Sequence, residues 1–210
     1  MKEIQIKIKL VEYLRATYPS AVFACEVPFD FGKRRADVVV LQDNLAHVFE
    51  IKSAGDAVER LPYQIAGYQQ FFDFCFAVGE PENIEAIQRT VSQDVGILSV
   101  TPDGVNLIRK PTRGHWHDKL MLASAFPVPI LSKMLREVAV PSSQWPRSQV
   151  EKAKLIAEKF NIEELRIRSR NFLVQKYLAG SRYLVLDTLE QLTPDEIQTI
   201  TRVQPIVLSQ

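Results

Sequence analysis

Asp37, Glu50 and Lys52 stand in "RADVVVLQDNLAHVFEIKS", a stretch otherwise dominated by Val, Leu, Ala, Phe and Ile. Charges set into an apolar hairpin cost stability unless something compensates them. Two carboxylates facing each other repel, and a hard divalent cation between them reverses the sign of that interaction. Mg²⁺ takes one or two carboxylates and keeps several waters, which leaves positions open for a phosphate oxygen. A cation so held lowers the pKa of a bound water and stabilises the charge that develops on a phosphodiester. A lysine alongside can orient or help deprotonate the attacking water, and its charge favours the transition state. The chemistry open to these three residues is therefore metal-assisted phosphodiester hydrolysis. The plainer alternative is a cross-strand Asp37–Lys52 ion pair at the open end of a hairpin, with Glu50 in solvent.

The elements around the three residues set their geometry. "ADVVVL" and "LAHVFEIK" read as two strands joined through Asp43 and Asn44, residue types that tolerate left-handed backbone. Counting outward pairs Gln42 with Leu45, Leu41 with Ala46, Val39 with Val48 and Asp37 with Glu50. Lys52, two residues beyond Glu50, then projects from the same face. The preceding "AVFACEVPF" alternates as a strand, with Val22, Ala24 and Glu26 on one face and Phe23, Cys25 and Val27 on the other. Glu26 is thus a further carboxylate able to bind the metal or polarise its water, or a rim charge. A helix is predicted from Asp56 or Ala57 to Phe74, where Arg60, Gln64 and Tyr68 fall at i, i+4 and i+8 on one polar stripe, a stripe that suits either the charged end of the hairpin or an ordinary solvated helix face. "GKRRAD" places Lys33, Arg34 and Arg35 just before Asp37, a cluster suited to a phosphate backbone and equally to a solvated turn.

Those motifs, taken together, resemble the PD-(D/E)XK nuclease superfamily with its restriction-endonuclease-like fold. "RADVVV" stands where that family has its metal-binding Asp, "FEIKS" matches the (D/E)XK element, and "QIAGY" (Gln64, Tyr68) looks like the Q-x-x-x-Y element of the RecB and Cas4 type branch. The run from Glu50 to Asp73 is most similar to small bacterial nuclease-like proteins. The resemblance covers roughly residues 3–110, and its specific part lies between Glu26 and Tyr68. It implies that Asp37 and Glu50 hold Mg²⁺ or Mn²⁺ with the backbone carbonyl of Ile51, and that Lys52 acts on the water. Gln64 and Tyr68 would support the site or touch DNA, and cleavage would leave 5′-phosphate ends. Ala36 stands in place of the family's Pro. The four cysteines that Cas4-type members use for an iron–sulfur cluster are missing, so no cluster is expected.

Along the whole chain the expected fold is α/β, a central mixed sheet flanked by helices. Ile4, Ile8, Val11, Leu14 and Tyr18 space a helix over residues 3–17, stopped by Pro19. After the hairpin and its helix come a strand in "FDFCFAVG", a helix in "NIEAIQRTVSQD" and a second hairpin, "VGILSV" and "GVNLIRK", about the turn "TPDG". This nuclease-like unit ends near Lys110. Residues 111–146, interrupted by Pro111, Pro127, Pro129, Pro141 and Pro146, read as a connector with short helices around His117–Phe126 and Ile130–Val138. Residues 147–210 read as a small helical domain, with helices starting after Ser148 and over Glu163–Gly180 and Thr193–Arg202. In "ELRIRSRNF", Arg166, Arg168 and Arg170 would fan around a helix, either toward a phosphate or partner or into solvent.

Composition bounds the rest. Lys and Arg number 26 against 25 Asp and Glu, so nucleic acid would have to be met by a local patch and not by overall charge. Cys25 and Cys75 sit in apolar surroundings and read as buried thiols of a reducing compartment. No signal peptide and no run of about 18 apolar residues occurs, so the expected location is the cytoplasm, away from membranes. Phosphate-loop and G-x-S-x-G motifs are missing, which argues against a nucleotide-driven motor or a serine hydrolase. His115 and His117 beside Asp118 do not make a zinc site without further ligands. The expected function is a Mg²⁺-dependent deoxyribonuclease serving repair, mobile elements or phage defence, as a homodimer or with a partner protein. The alternative is a non-catalytic nucleic-acid-binding adaptor, against which the intact Asp37, Glu50 and Lys52 argue.

Overall fold

The computed structural model describes residues 1–186 and 192–201, with side chains over 1–182 and 192–201. Six strands form one sheet whose spatial order is their order in the chain: β1 (Val22–Phe29), β2 (Arg34–Gln42), β3 (Leu45–Lys52), β4 (Phe74–Gly79), β5 (Gly96–Thr101) and β6 (Gly104–Arg109). β1, β2 and β3 run antiparallel, β3 to β4 and β4 to β5 are parallel, and β6 returns antiparallel. Parallel neighbours need a crossover, and two helices supply them, α2 (Leu61–Gln69) and α3 (Pro81–Thr90). The first hairpin has the expected register from Gln42–Leu45 to Val38–Phe49. Asp43 and Asn44 take φ of 52° and 59°, the left-handed pair that a two-residue turn requires. Pro28, which donates no hydrogen bond, is tolerated because β1 is an edge strand.

The sheet is covered on both faces. α1 (Glu3–Thr17) and α8 (Pro194–Thr201) bury Ile6, Leu10, Leu14, Ile197 and Ile200 against Phe23, Val38 and Phe49. The other face takes α2 and α3 together with α4 (Lys119–Ala123), α5 (Val128–Glu137), α6 (Gln149–Lys159) and α7 (Ile162–Leu186). Leu122, Leu131, Ile156 and Phe172 from these later helices join Val22, Val39 and Val48 in one cluster. The composition changes at residues 110 and 146 therefore lie within a single apolar core.

Several elements depart from their expected bounds. α2 starts only at Leu61, after a 3₁₀ turn at Val58–Arg60, and stops at Gln69. Phe71 and Phe72 then turn into the core, where continued helix would carry one of them away from it. Arg60 consequently precedes the helix whose stripe it was to begin. α4 is shorter than expected, starting where the Asp118 side chain accepts the Met121 amide at 2.8 Å. Ser148 caps α6 as expected, accepting from the Glu151 amide. α7 runs past Gly180. α8 agrees with its expected span, apart from Arg202, which lies outside the described residues.

A buried carboxylate fastens α7 to the sheet. Asp73 accepts from the Ala46 amide at 2.9 Å, from Arg170 Nε at 3.0 Å and from Arg166 Nη1 at 3.3 Å, with Arg113 at 3.6 Å. Burial opposes its charge, but Arg170 and the other donors hold the Asp73 carboxyl below the usual range. Arg170 is 1% exposed, and Arg168 pairs with Glu137 at 2.8 Å. Arg166 and Arg170 thus dock α7 on Asp73, and Arg168 ties it to α5, in place of the expected fan toward a phosphate. Among the described residues no helix is long and apolar enough to cross a membrane.

Candidate functional site

β1 and β2 lose their simple alternation where the charges sit. Val22 and Ala24 of β1, with Val39 and Leu41 of β2, pack in the larger cluster, while Phe23, Cys25, Val38 and Val40 pack in the smaller. Yet Val27, Phe29 and Ala36 also belong to the larger cluster. Each strand has spent one extra residue, Glu26 and Asp37, between the paired positions Cys25–Val38 and Val27–Ala36. The matched excess preserves register and turns both strands over. The expectation that Val27 shares a face with Phe23 and Cys25 is thereby corrected. Glu26 pays for the turn with φ of 53°, a conformation costing roughly 1–2 kcal/mol for a residue with a β-carbon.

This irregularity gathers acidic groups at one end of the sheet. Carboxylate oxygens of Glu26, Asp37 and Glu3 of α1 all lie within 4.8 Å of one another. Lys7, one helical turn after Glu3 and 5% exposed, donates to Glu26 at 2.5 Å and to Glu3 at 3.2 Å. Burial pulls the Lys7 ammonium down, but Glu26 outweighs it and carries the group above its ordinary value. Asp37 accepts the Ile51 amide at 2.8 Å, so its carboxylate substitutes for a main-chain acceptor just beyond the last ladder pair. Burial and the nearby Glu50 charge push the Asp37 carboxyl up to about 7, against the Ile51 hydrogen bond and Lys7, which pull it down.

Glu50 and Lys52 alternate along β3 with the core residues Phe49 and Ile51, and α2 meets them. Glu50 is 3% exposed. Its Oε1 accepts from Lys52 Nζ at 3.0 Å and from Gln64 Nε2, and its Oε2 accepts from the Tyr68 hydroxyl. Lys52 also donates to Gln64 Oε1 at 2.9 Å. Burial and Glu50 push the Tyr68 phenol far above its ordinary value, so it remains a proton donor at any working pH. Gln64 and Tyr68, four residues apart on α2, therefore hold Glu50 as their spacing suggested. The reading with Glu50 in solvent and Lys52 paired to Asp37 is overturned, because Lys52 bridges to a buried Glu50.

The basic residues divide. Arg34 lies over the Tyr63 ring at 4.5 Å, near Asp30 at 3.6 Å. A side chain at Gly67 would collide with the Arg34 guanidinium, so glycine there permits the close approach. Arg35 is exposed and 3.5 Å from Glu26, and Lys33 and Arg60 are exposed. His117 turns inward to the Phe72 carbonyl at 3.2 Å, while Trp116 is 74% exposed. Glu3 and Lys7 were missed. The apolar stripe was assigned through Ile4 and Ile8, whereas Ile6, Leu10 and Leu14 are fully buried. That alternative i, i+4, i+8 row places Lys7 on the inner face, where its charge would have asked for partners.

The donor set suits a hard cation. Asp37, Glu26, Glu3 and Glu50 offer only oxygen, as Mg²⁺ and Mn²⁺ prefer. Asp37 accepts one amide hydrogen bond, and Glu50 keeps a lone pair on Oε2 beyond the Tyr68 bond. A cation shared by Asp37 and Glu50 would relieve the repulsion that raises Asp37.

Comparisons with known proteins give the chain a family. A solved protein of unknown function from Silicibacter pomeroyi is similar with a TM-score of 0.45 and 18% identity, over 70% of this chain and 99% of that one. Protein cII of Enterobacteria phage P4 is 30% identical over 100 residues, which is 47% of this chain and 38% of that protein. The matched part thus spans well under half the length of that relative. A family model described as Bacteriophage P4 protein cII matches residues 1–201, from the start of the chain to the end of α8, and the chain belongs to that family.

Proposed function

We propose that this protein is a metal-dependent nuclease that hydrolyses DNA phosphodiester bonds at the end of the sheet formed by Asp37, Glu50 and Lys52. The observation that carries the reading is the buried Glu50, fixed by Lys52, Gln64 and Tyr68, whose charge together with burial pushes up the carboxyl of Asp37. A structural role would be better served by apolar residues, since buried ion pairs seldom add stability. The order helix, three antiparallel strands, helix, parallel strand also agrees with the fold that the sequence resemblance implies.

Asp37 and Glu50 would hold Mg²⁺ or Mn²⁺, with the Ile51 carbonyl, and the ion would supply an acidified water and charge neutralisation. Lys52 places an ammonium where a water attacking phosphorus and the developing negative charge can both use it. Gln64 and Tyr68 keep Glu50 and Lys52 in one geometry, and Glu26 tunes Asp37. Lys33 and Arg60, both exposed, and Arg35, exposed beside Glu26, would meet the phosphate backbone. Hydrolysis of nucleic acid in a mobile-element setting is consistent with a family named from a phage.

The test is cleavage of labelled single-stranded, duplex, flap, junction and RNA substrates with Mg²⁺, Mn²⁺ or EDTA, with Asp37→Ala and Lys52→Ala proteins in parallel. Metal-dependent cutting of DNA that falls at least about 100-fold in both folded variants is expected, the scale on which charge-stabilising groups act. Absence of both cutting and metal binding would reject the reading in favour of a binding module.

A further inference from the structure

We infer that the Lys7 ammonium occupies the place of a second divalent cation, so that the site binds one metal ion where its carboxylates alone could hold two. The inference rests on the metal-binding reading of Asp37 and extends it to the number of ions. Three carboxylates, from Glu3, Glu26 and Asp37, converge within 4.8 Å, close enough to share one cation. Glu50 lies on β3, the strand next to that of Asp37 and opposite β1 with Glu26, and its charge acts on Asp37. Two ions shared by these carboxylates would make Asp37 the bridge, one taken with Glu50 and the other with Glu26 and Glu3. Two-ion sites that clamp attacking and leaving oxygens are built in this way.

Lys7 closes the second position. Its Nζ lies 2.5 Å from Glu26 and 3.2 Å from Glu3, in the space between the oxygens a second ion would need. An ammonium has three donors and no lone pair, so it cannot share that space as a ligand. Lys7 is buried on the inner face of α1 between Ile6 and Leu10, so its stem is packed and the head has little freedom to swing out. Charge agrees. Glu3, Glu26, Asp37 and Glu50 face Lys7, Lys52 and Arg35, so four carboxylates meet three cations. One divalent ion reverses the small negative excess, and a second would leave a strong positive one. A lysine head supplies one fixed positive charge without having to be captured from solution. Binding of metal should therefore be a single, uncooperative event.

The experiment counts bound Mn²⁺ by equilibrium dialysis and electron paramagnetic resonance for the wild-type chain, Lys7→Met, Lys7→Arg and Asp37→Ala, after thermal melts establish that each is folded. Expected are one ion for wild type and Lys7→Arg, two exchange-coupled ions for Lys7→Met, and loss of tight binding in Asp37→Ala. Two ions in the wild type, or one in folded Lys7→Met, would overturn the inference. No ion in the wild type would overturn the metal-binding reading itself, and this inference with it. If Lys7→Met does not fold, Lys7→Gln is counted in its place, with the same two outcomes.

Discussion

Asp37 holds its proton more tightly in the folded chain than in the unfolded one, because burial and Glu50 both oppose its charge. A carboxyl raised from about 3.8 to about 7 means that the folded state binds more protons across that interval, so stability falls as pH rises through it. His47 acts in the opposite sense. Burial lowers it from 6.5 to about 4, so its contribution is lost as pH falls below the unfolded value. The two are separated by comparison with Asp37→Asn. The metal-free wild type should lose more Tm between pH 5 and pH 8 than Asp37→Asn does, as read by scanning fluorimetry. Mg²⁺ or Mn²⁺ should restore the wild type at pH 8 and leave the variant unchanged. Equal pH slopes in the two proteins would remove Asp37 as the strained group. Asp37, Glu50 and Lys52 were legible in the sequence because charges are conspicuous in an apolar run. Lys7 was not, since the first helix offers two overlapping apolar rows and only packing chooses between them.

At the scale of elements, the long helix α7 is held by ion pairs as well as by apolar contact. Asp73→Ala leaves Arg170 buried without its carboxylate, and removal of one partner of such a pair costs about 3–5 kcal/mol. Urea unfolding should show a loss of that size. Arg168→Ala, at a partly exposed pair with Glu137, should cost under about 1 kcal/mol. Comparable losses in both would mean that the buried hub does not anchor the helix. The strands, the first hairpin register and the Ser148 cap were readable because side-chain period and turn chemistry are local. The turning over of β1 and β2 at Glu26 and Asp37 was not. A period of two contains no mark for a residue added to both strands at once, and the sequence alone leaves the register looking regular. The early end of α2 escaped for a related reason, since Phe71 and Phe72 satisfy a helical row as well as they fill the core.

Over the whole molecule, the helices after Lys110 complete the larger core instead of adding to a finished one. Leu122, Leu131, Ile156 and Phe172 cover the same face as Val39 and Val48. A chain cut after residue 110 should therefore expose that face and lack cooperative thermal unfolding by circular dichroism, while the full chain melts in one transition. A sharp melt for the fragment would show that the first six strands stand alone. The same architecture has a consequence for the timing of synthesis. The sheet is laid down strand by strand in the order the ribosome delivers it, each strand beside its predecessor. Its α1 face acquires most of its cover from the first helix at once, with α8 added last. Its other face has α2 and α3 early but waits for α4 to α7 to complete its cover, and at roughly 5–20 residues per second that delay lasts several seconds. During that interval the nascent chain is a half-roofed sheet, and its survival depends on what shelters an open apolar surface until translation reaches Arg170.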